Sequence, residues 1–384
     1  WVVLIREETS TTDSQVIEIP DDYATIQEGI EAASDGDTIL VAPGTYSGPI
    51  CYNGDLVIIS EEGAENTIIQ GVMGSSVVGG CSVTESASNT ILDGFTITGG
   101  NENWGGGISV LDNIILDLRN SIVTDNQANY GAGAYIHDGG TLLATSVIIR
   151  NNSNPNIDGG GVYVNTGGTF TATDVTIRNN TAYDSNDDNS KGGGIFVAPN
   201  GIVTLNSVVI DSNHSSIGGG IYFDYDAAAS LENVIITNNY TTSQSNSGNG
   251  GGIFLYDSDP TMTNVTISDN TADGNGGGLY SNDANPSFLN SILWNNSPQE
   301  IDGSITATYS DIQGGYEGEG NIDEDPLFVD AENGDYHLSN SSPCIGAGTL
   351  AGAPDTDMDG NPRPNPEGSN PDMGAYENAL GSPN

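Results

Sequence analysis

Basic side chains are almost missing: the 384-residue chain holds six lysines and arginines against 52 aspartates and glutamates, a formal charge of −46. Such a surface repels nucleic acid and anionic membranes, so partners should be neutral, cationic or metal-bridged. Methionine is scarce, with four, whereas glycine reaches 53, a balance that argues against conventional helical packing. No apolar run of 18 residues exists, which excludes a transmembrane helix. The opening stretch, Trp1 to Ser10, lacks a basic n-region and a small-residue cleavage site, and is expected to be a mature or trimmed start. Cys51, Cys81 and Cys344 show no CxxC spacing, which argues against zinc. Cys51 and Cys81 lie about one repeat apart, and form either a disulfide between neighbouring turns or two small buried side chains.

What is present is repetition. Aligned on the third residue of each glycine-rich triplet, the chain repeats at Gly107, Gly133, Gly161, Gly194, Gly220, Gly252 and Gly278, with gaps of 26, 28, 33, 26, 32 and 26 residues. Each repeat closes on an asparagine, from Asn126 to Asn296, 19 residues later in five repeats and 18 in two. Large length changes are therefore confined to one turn, between asparagine and glycines. A period of this size means a solenoid. Apolar columns give its strands: Ile108 to Leu279 after the glycines, Leu118 to Phe288 in a second strand, Val123 to Leu293 in a third. Three short strands per coil, with no room for a crossover helix, stack in parallel only as a β-helix. The asparagines are expected to form a hydrogen-bonded ladder along the axis, and the glycines to supply positive φ or close backbone approach.

Both ends and the repeat carry resemblances. Asp22 to Tyr46, with Ile26 and Ile30 spaced for a short amphipathic helix, resembles the opening of pectin-lyase-like right-handed β-helix proteins. The Gly-Gly-Gly-Ile and Ile-x-x-Asn pairing over Gly105 to Asn296 is similar to the repeats of chlamydial polymorphic membrane proteins. Asp325 to Glu377 resembles the closing segment of secreted bacterial β-helix proteins of the choice-of-anchor type. These resemblances imply an all-β, right-handed parallel β-helix, secreted or attached to a bacterial cell surface. The expected divisions are an N-terminal strand and cap helix over 1–37, the β-helix over 38–312, and a capping, anchor-type segment over 313–384. The scaffold hosts lyases, hydrolases, esterases and adhesins, so it implies no single activity.

Chemistry has several candidate seats. Tyr135, Tyr163, Phe196, Tyr222, Phe254 and Tyr280 share one outward column on the glycine strand, following Ser109. They either stack on one another or form a strip that binds sugar rings or a neighbouring protein. Beside them, Asp224, Asp226, Asp257, Asp259 and Asp283 crowd a turn on three coils, and bind Ca²⁺, act as a glycosidase-like acid and base, or form a solvated acidic edge. Two insertions, Thr181 to Lys191 and Tyr240 to Asn249, would wall the strip. Asp355, Asp357, Asp359 and Gly360 spell D-x-D-x-D-G, a candidate calcium loop completed by Glu367 or Asp372, although Pro366 stands where an EF-hand needs glutamate. Arg150 and Arg178 share a column with Asp211, either an ion-pair ladder or a lyase centre. Gly-His-Gly, Arg-x-Lys and Asn-Thr-Asp, expected of pectin methylesterases and polygalacturonases, are absent. The leading expectation is a calcium-stabilised rod that binds a polysaccharide or another surface protein, or itself. The alternative is a polysaccharide-degrading enzyme, a hydrolase sooner than a lyase.

Overall fold

The computed structural model describes residues 14–52, 54–80, 88–155, 158–183, 189–244 and 247–384. The chain coils into a parallel β-helix whose strands form, among the described residues, sheets of twenty, ten and six. Register follows the repeat: Ile108 pairs with Ala134, then Val162, Ile195, Ile221, Ile253 and Leu279, one per coil. All seven are fully buried. The second and third columns are also in register and buried, Ile177 against Ile210 and Ile210 against Ile236 among them.

The three sheets differ from the three expected strands. The second and third strands belong to one wide sheet, and in three coils they fuse into ten-residue strands, Thr169–Arg178, Ile202–Asp211 and Ala228–Thr237. The fusion survives because one left-handed residue, Asp174, Ser207 or Asn233, bends each strand without ending its pairing. The remaining sheet lies in the length-variable turn, where short segments such as Asn101–Trp104, Gln127–Tyr130 and His214–Ser215 pair.

Each of the seven coils between Gly105 and Asn296 turns four corners, each on a residue of positive φ. In one coil these are Gly192, Asn200, Ser207 and Ser212; in the next, Gly218, Asp226, Asn233 and Asn238. Asparagine, aspartate and glycine dominate because they tolerate the left-handed region best. Gly192 has φ of 64°, while a Cβ on Gly194 would lie 2.6 Å from the carbonyl oxygen of Gly220 in the following coil. The triplet is thus required by turn geometry at its start and by close approach at its end.

The asparagine ladder forms as expected. Asn126, Asn152, Asn180, Asn213, Asn239 and Asn270 each donate a side-chain amide to the next asparagine's Oδ1 at 2.8–3.1 Å. Each Oδ1 accepts a backbone N–H as well, as Asn180 does from Asn152. Buried amides satisfied this completely stabilise the corner instead of penalising it.

At the N-terminal end the helix Ile26–Ala32 starts on a capping box between Thr25 and Glu28 and buries Ile26 and Ile30. At the other end Tyr316 packs against the last coil, its hydroxyl bonded to Ile305. Beyond it the chain does more than cap. Residues 327–384 run back along the wide sheet, covering outward residues Ile235 and Ile292. Three corner asparagines hold this tail: Asn233 donates to the Thr356 carbonyl, Asn264 to those of Asp372 and Gly374, Asn290 to that of Thr349. Cys51 is disulfide-bonded, Cys344 is a free buried thiol, and Cys81 lies outside the described residues.

Candidate functional site

The aromatic column exists but does not face solvent as a strip. Successive rings from Tyr135 to Tyr280 stack with centroids 4.7–5.3 Å apart. Phe196 is 3% exposed and Tyr222 5%, and of the two expected arrangements the mutual stack is the one seen: each ring's flat sides are covered by its neighbours. Parallel, in-register strands force this, since like residues repeat at the strand spacing of about 4.8 Å, close to the preferred distance between rings. Burial pushes the Tyr135 phenol up to about 12 and raises those of Tyr163 and Tyr222 further. Lys191 sits 4.7 Å over the Tyr222 ring and adds a cation–π contact. The tips of the two insertions, 184–188 and 245–246, lie outside the described residues.

The turn aspartates are corner residues. Asp226, Asp257 and Asp283 adopt φ of 56°, 47° and 54°, the position filled by Asn113, Gly139 and Asn200 in other coils. Asp224 accepts the Tyr225 N–H, and Asp259 that of Asn285. Among the described residues no three His, Cys, Asp or Glu side chains converge as a metal site.

In the D-x-D-x-D-G stretch Asp355 is exposed, while the carboxylates of Asp357 and Asp359 are engaged within the protein. Asp357, 2% exposed, accepts backbone N–H groups from Asp359, Asn361 and Glu377, and the Asn361 amide. Asp359 binds His337 instead, at 2.8 Å. Asp372 accepts from Gly346 and Asn378, and Glu367 is exposed. So placed, the acidic side chains of this stretch do not come together as a group of three around one point.

Two side chains that sequence reasoning missed organise the tail. Arg363 pairs with Glu377 at 3.0 Å, both side chains fully buried, and reaches Asn233 of the coil and the carbonyls of Asp372 and Ala375. His337 lies between Asp335 (2.6 Å) and Asp359, stacked on Tyr376 at 3.8 Å. Burial pulls its pKa down, but the two carboxylates outweigh burial and raise it. The available signal was Arg363, a lone cation in the sequence between Asp357 and Asp372, two residues that the metal reading took as ligands.

The arginine column is not an ion-pair ladder. Arg150 and Arg178 are in register on adjacent coils, Asp211 follows, yet no ion pair joins them among the described residues. Asp211 instead accepts from Ser212 and Asn238, while both arginine Nε atoms are buried without a partner.

Open surface lies elsewhere. A groove of about 560 Å³ crosses successive coils of the short sheet, lined by Met73, Asn101, Asn103, Gln127, Asn129 and Pro155, with Glu102 as its carboxylate. Trp104, half exposed, ends the same strand. A second cleft of about 320 Å³ separates the tail from the wide sheet, between Val209, Asp211 and Thr237 on one side and Tyr336 and Tyr376 on the other. The first groove had a sequence signal, the runs Asn101-Glu102-Asn103 and Gln127-Ala128-Asn129 in the variable turn.

Residues 144–297 match the family described as right handed beta helix region. No curated protein matches the chain in sequence. Among solved structures, pectate lyase Pel9A aligns with 15% identity and a TM-score of 0.57, covering 95% of this chain and 97% of its own. The A-module of Azotobacter vinelandii mannuronan C-5 epimerase AlgE6 aligns with 12% identity and a TM-score of 0.35, covering 78% of this chain and 93% of its own. The register, the family match and the alignment with the pectate lyase together make this chain a right-handed parallel β-helix.

Proposed function

We propose that the protein is an extracellular β-helical rod that binds polysaccharide along its side without cleaving it. The observation that carries this reading is the open short-sheet groove, which runs across coils as an extended ligand would, and exposes amides and a methionine instead of clustered acids. The fold shared with the pectate lyase supports a polysaccharide as ligand, by analogy of scaffold. The disulfide at Cys51 supports an oxidising, extracellular setting, and no helix among the described residues is long and apolar enough to cross a membrane.

Binding without cleavage rests on the carboxylates. Glycoside hydrolysis needs a pair of them flanking the scissile bond. The groove offers Glu102 alone. Asp224 and Asp259 accept backbone N–H groups, and Asp226 and Asp257 serve as left-handed corners. A glycan array scored for retention, with parallel assays for reducing ends and unsaturated products, tests the reading. Retention without product supports it; product formation favours the enzyme, and failure to retain any glycan removes the polysaccharide.

A further inference from the structure

We infer that the short-sheet groove takes a neutral, hydroxyl-rich glycan in preference to a uronate chain; this deepens, and rests on, the polysaccharide-binding reading. No lysine or arginine lines the groove, and its one charged residue is Glu102. A carboxylated chain would meet that glutamate inside the field of a protein of formal charge −46, with no cation to offset it. The polar lining consists of amides. Each asparagine or glutamine offers two donors and a carbonyl acceptor, the complement of sugar hydroxyls, which both donate and accept. Asn129 donates to Asn103 Oδ1 at 2.8 Å, which holds two of the amides in place across neighbouring coils, while Asn101 and Gln127 stand exposed.

Apolar surface is present in the amount a sugar's C–H face needs. Met73, 89% exposed, lines the groove as the partner of Asn101 on the preceding coil, and Trp104, 50% exposed, ends the strand that carries Asn101 and Asn103. Large apolar side chains left this open on a soluble rod mark a contact surface. Trp104 pairs in register with Tyr130 of the next coil. The basic pair Arg150 and Arg178 lies on the wide sheet, away from this lining, and gives the experiment its opposing arm.

The test is calorimetric titration of the full chain with neutral hexasaccharides (β-1,4-glucan, mannan and xylan) and with oligogalacturonate and oligomannuronate of equal length. At least one neutral hexamer should bind, and uronates should bind about tenfold or more weakly at low ionic strength. Trp104→Ala and the double variant Asn101→Ala/Gln127→Ala should each weaken neutral binding about tenfold with melting unchanged. Arg150→Gln/Arg178→Gln should leave it unaltered. Preference for uronates, lost in the arginine variant, overturns the inference and leaves polysaccharide binding standing, as does neutral binding indifferent to the groove variants. Absence of binding to both classes overturns the polysaccharide reading itself.

Discussion

Asn296 donates its side-chain amide and its backbone N–H to the two carboxylate oxygens of Glu300, so a ladder built from asparagines ends on an acid. Burial pushes Glu300 up to about 7, against the lowering effect of the Asn296 bonds. Burial likewise raises Asp311 and Asp372 to about 7. A folded state that holds protons which the unfolded chain releases near 4 gains stability at low pH. That gain is fully present below about pH 4 and is lost as pH rises through about 7. The melting temperature should therefore fall between pH 5 and pH 8, and Glu300→Gln should flatten part of the slope. A melting temperature that rises over this interval contradicts the assignment.

The tail should detach when its buried pair is broken. Arg363→Met leaves Glu377 without its cation, which costs about 3–5 kcal/mol when a buried pair loses one partner. Limited proteolysis should then release residues beyond 327 while the coils resist, because Arg363 also joins the tail to Asn233, one of the three corner asparagines that hold it. Unchanged protease resistance would show that the tail is held by other contacts.

Calcium should not matter to the tail. Asp357→Ala orphans four N–H donors and should cost about 2 kcal/mol or more, equally in chelator and in millimolar calcium. A melting temperature of the parent chain that climbs with free calcium would restore a metal to this segment.

The stacked column should behave as scaffold. Phe196→Ala removes a ring enclosed by Tyr163 and Tyr222 and should cost about 3 kcal/mol or more, as for other buried aromatics. Glycan affinity, measured where the variant remains folded, should be unchanged; a loss of affinity at full stability would return the binding face to this column.

The coil was legible because its signals repeat: a column such as Val123 to Leu293, or Asn126 to Asn296, states the same fact seven times. The short sheet was not, since strands of two residues such as Thr181–Ala182 have no period to read. The alternation rule marks Tyr222 as outward and leaves stacking and a binding strip both open; the ring geometry shows its neighbours covering it. Tail docking left a faint trace, asparagine at three successive corners, 233, 264 and 290, after Ser146, Asp174 and Ser207, although Asn120 fills the same corner earlier without meeting the tail. Its meaning depends on contacts over 100 residues apart in sequence, such as Asn233 to Thr356. The amide-lined groove was overlooked because amides in a variable turn read as loop.

Affinity electrophoresis through gels containing soluble polysaccharides, followed by chromatography of each polysaccharide after prolonged incubation with the protein, tests the central claim most directly. The account expects retardation by at least one polysaccharide, relieved by Trp104→Ala, with that polysaccharide's size distribution unchanged. Shortened chains, or free migration through every polysaccharide, would contradict it.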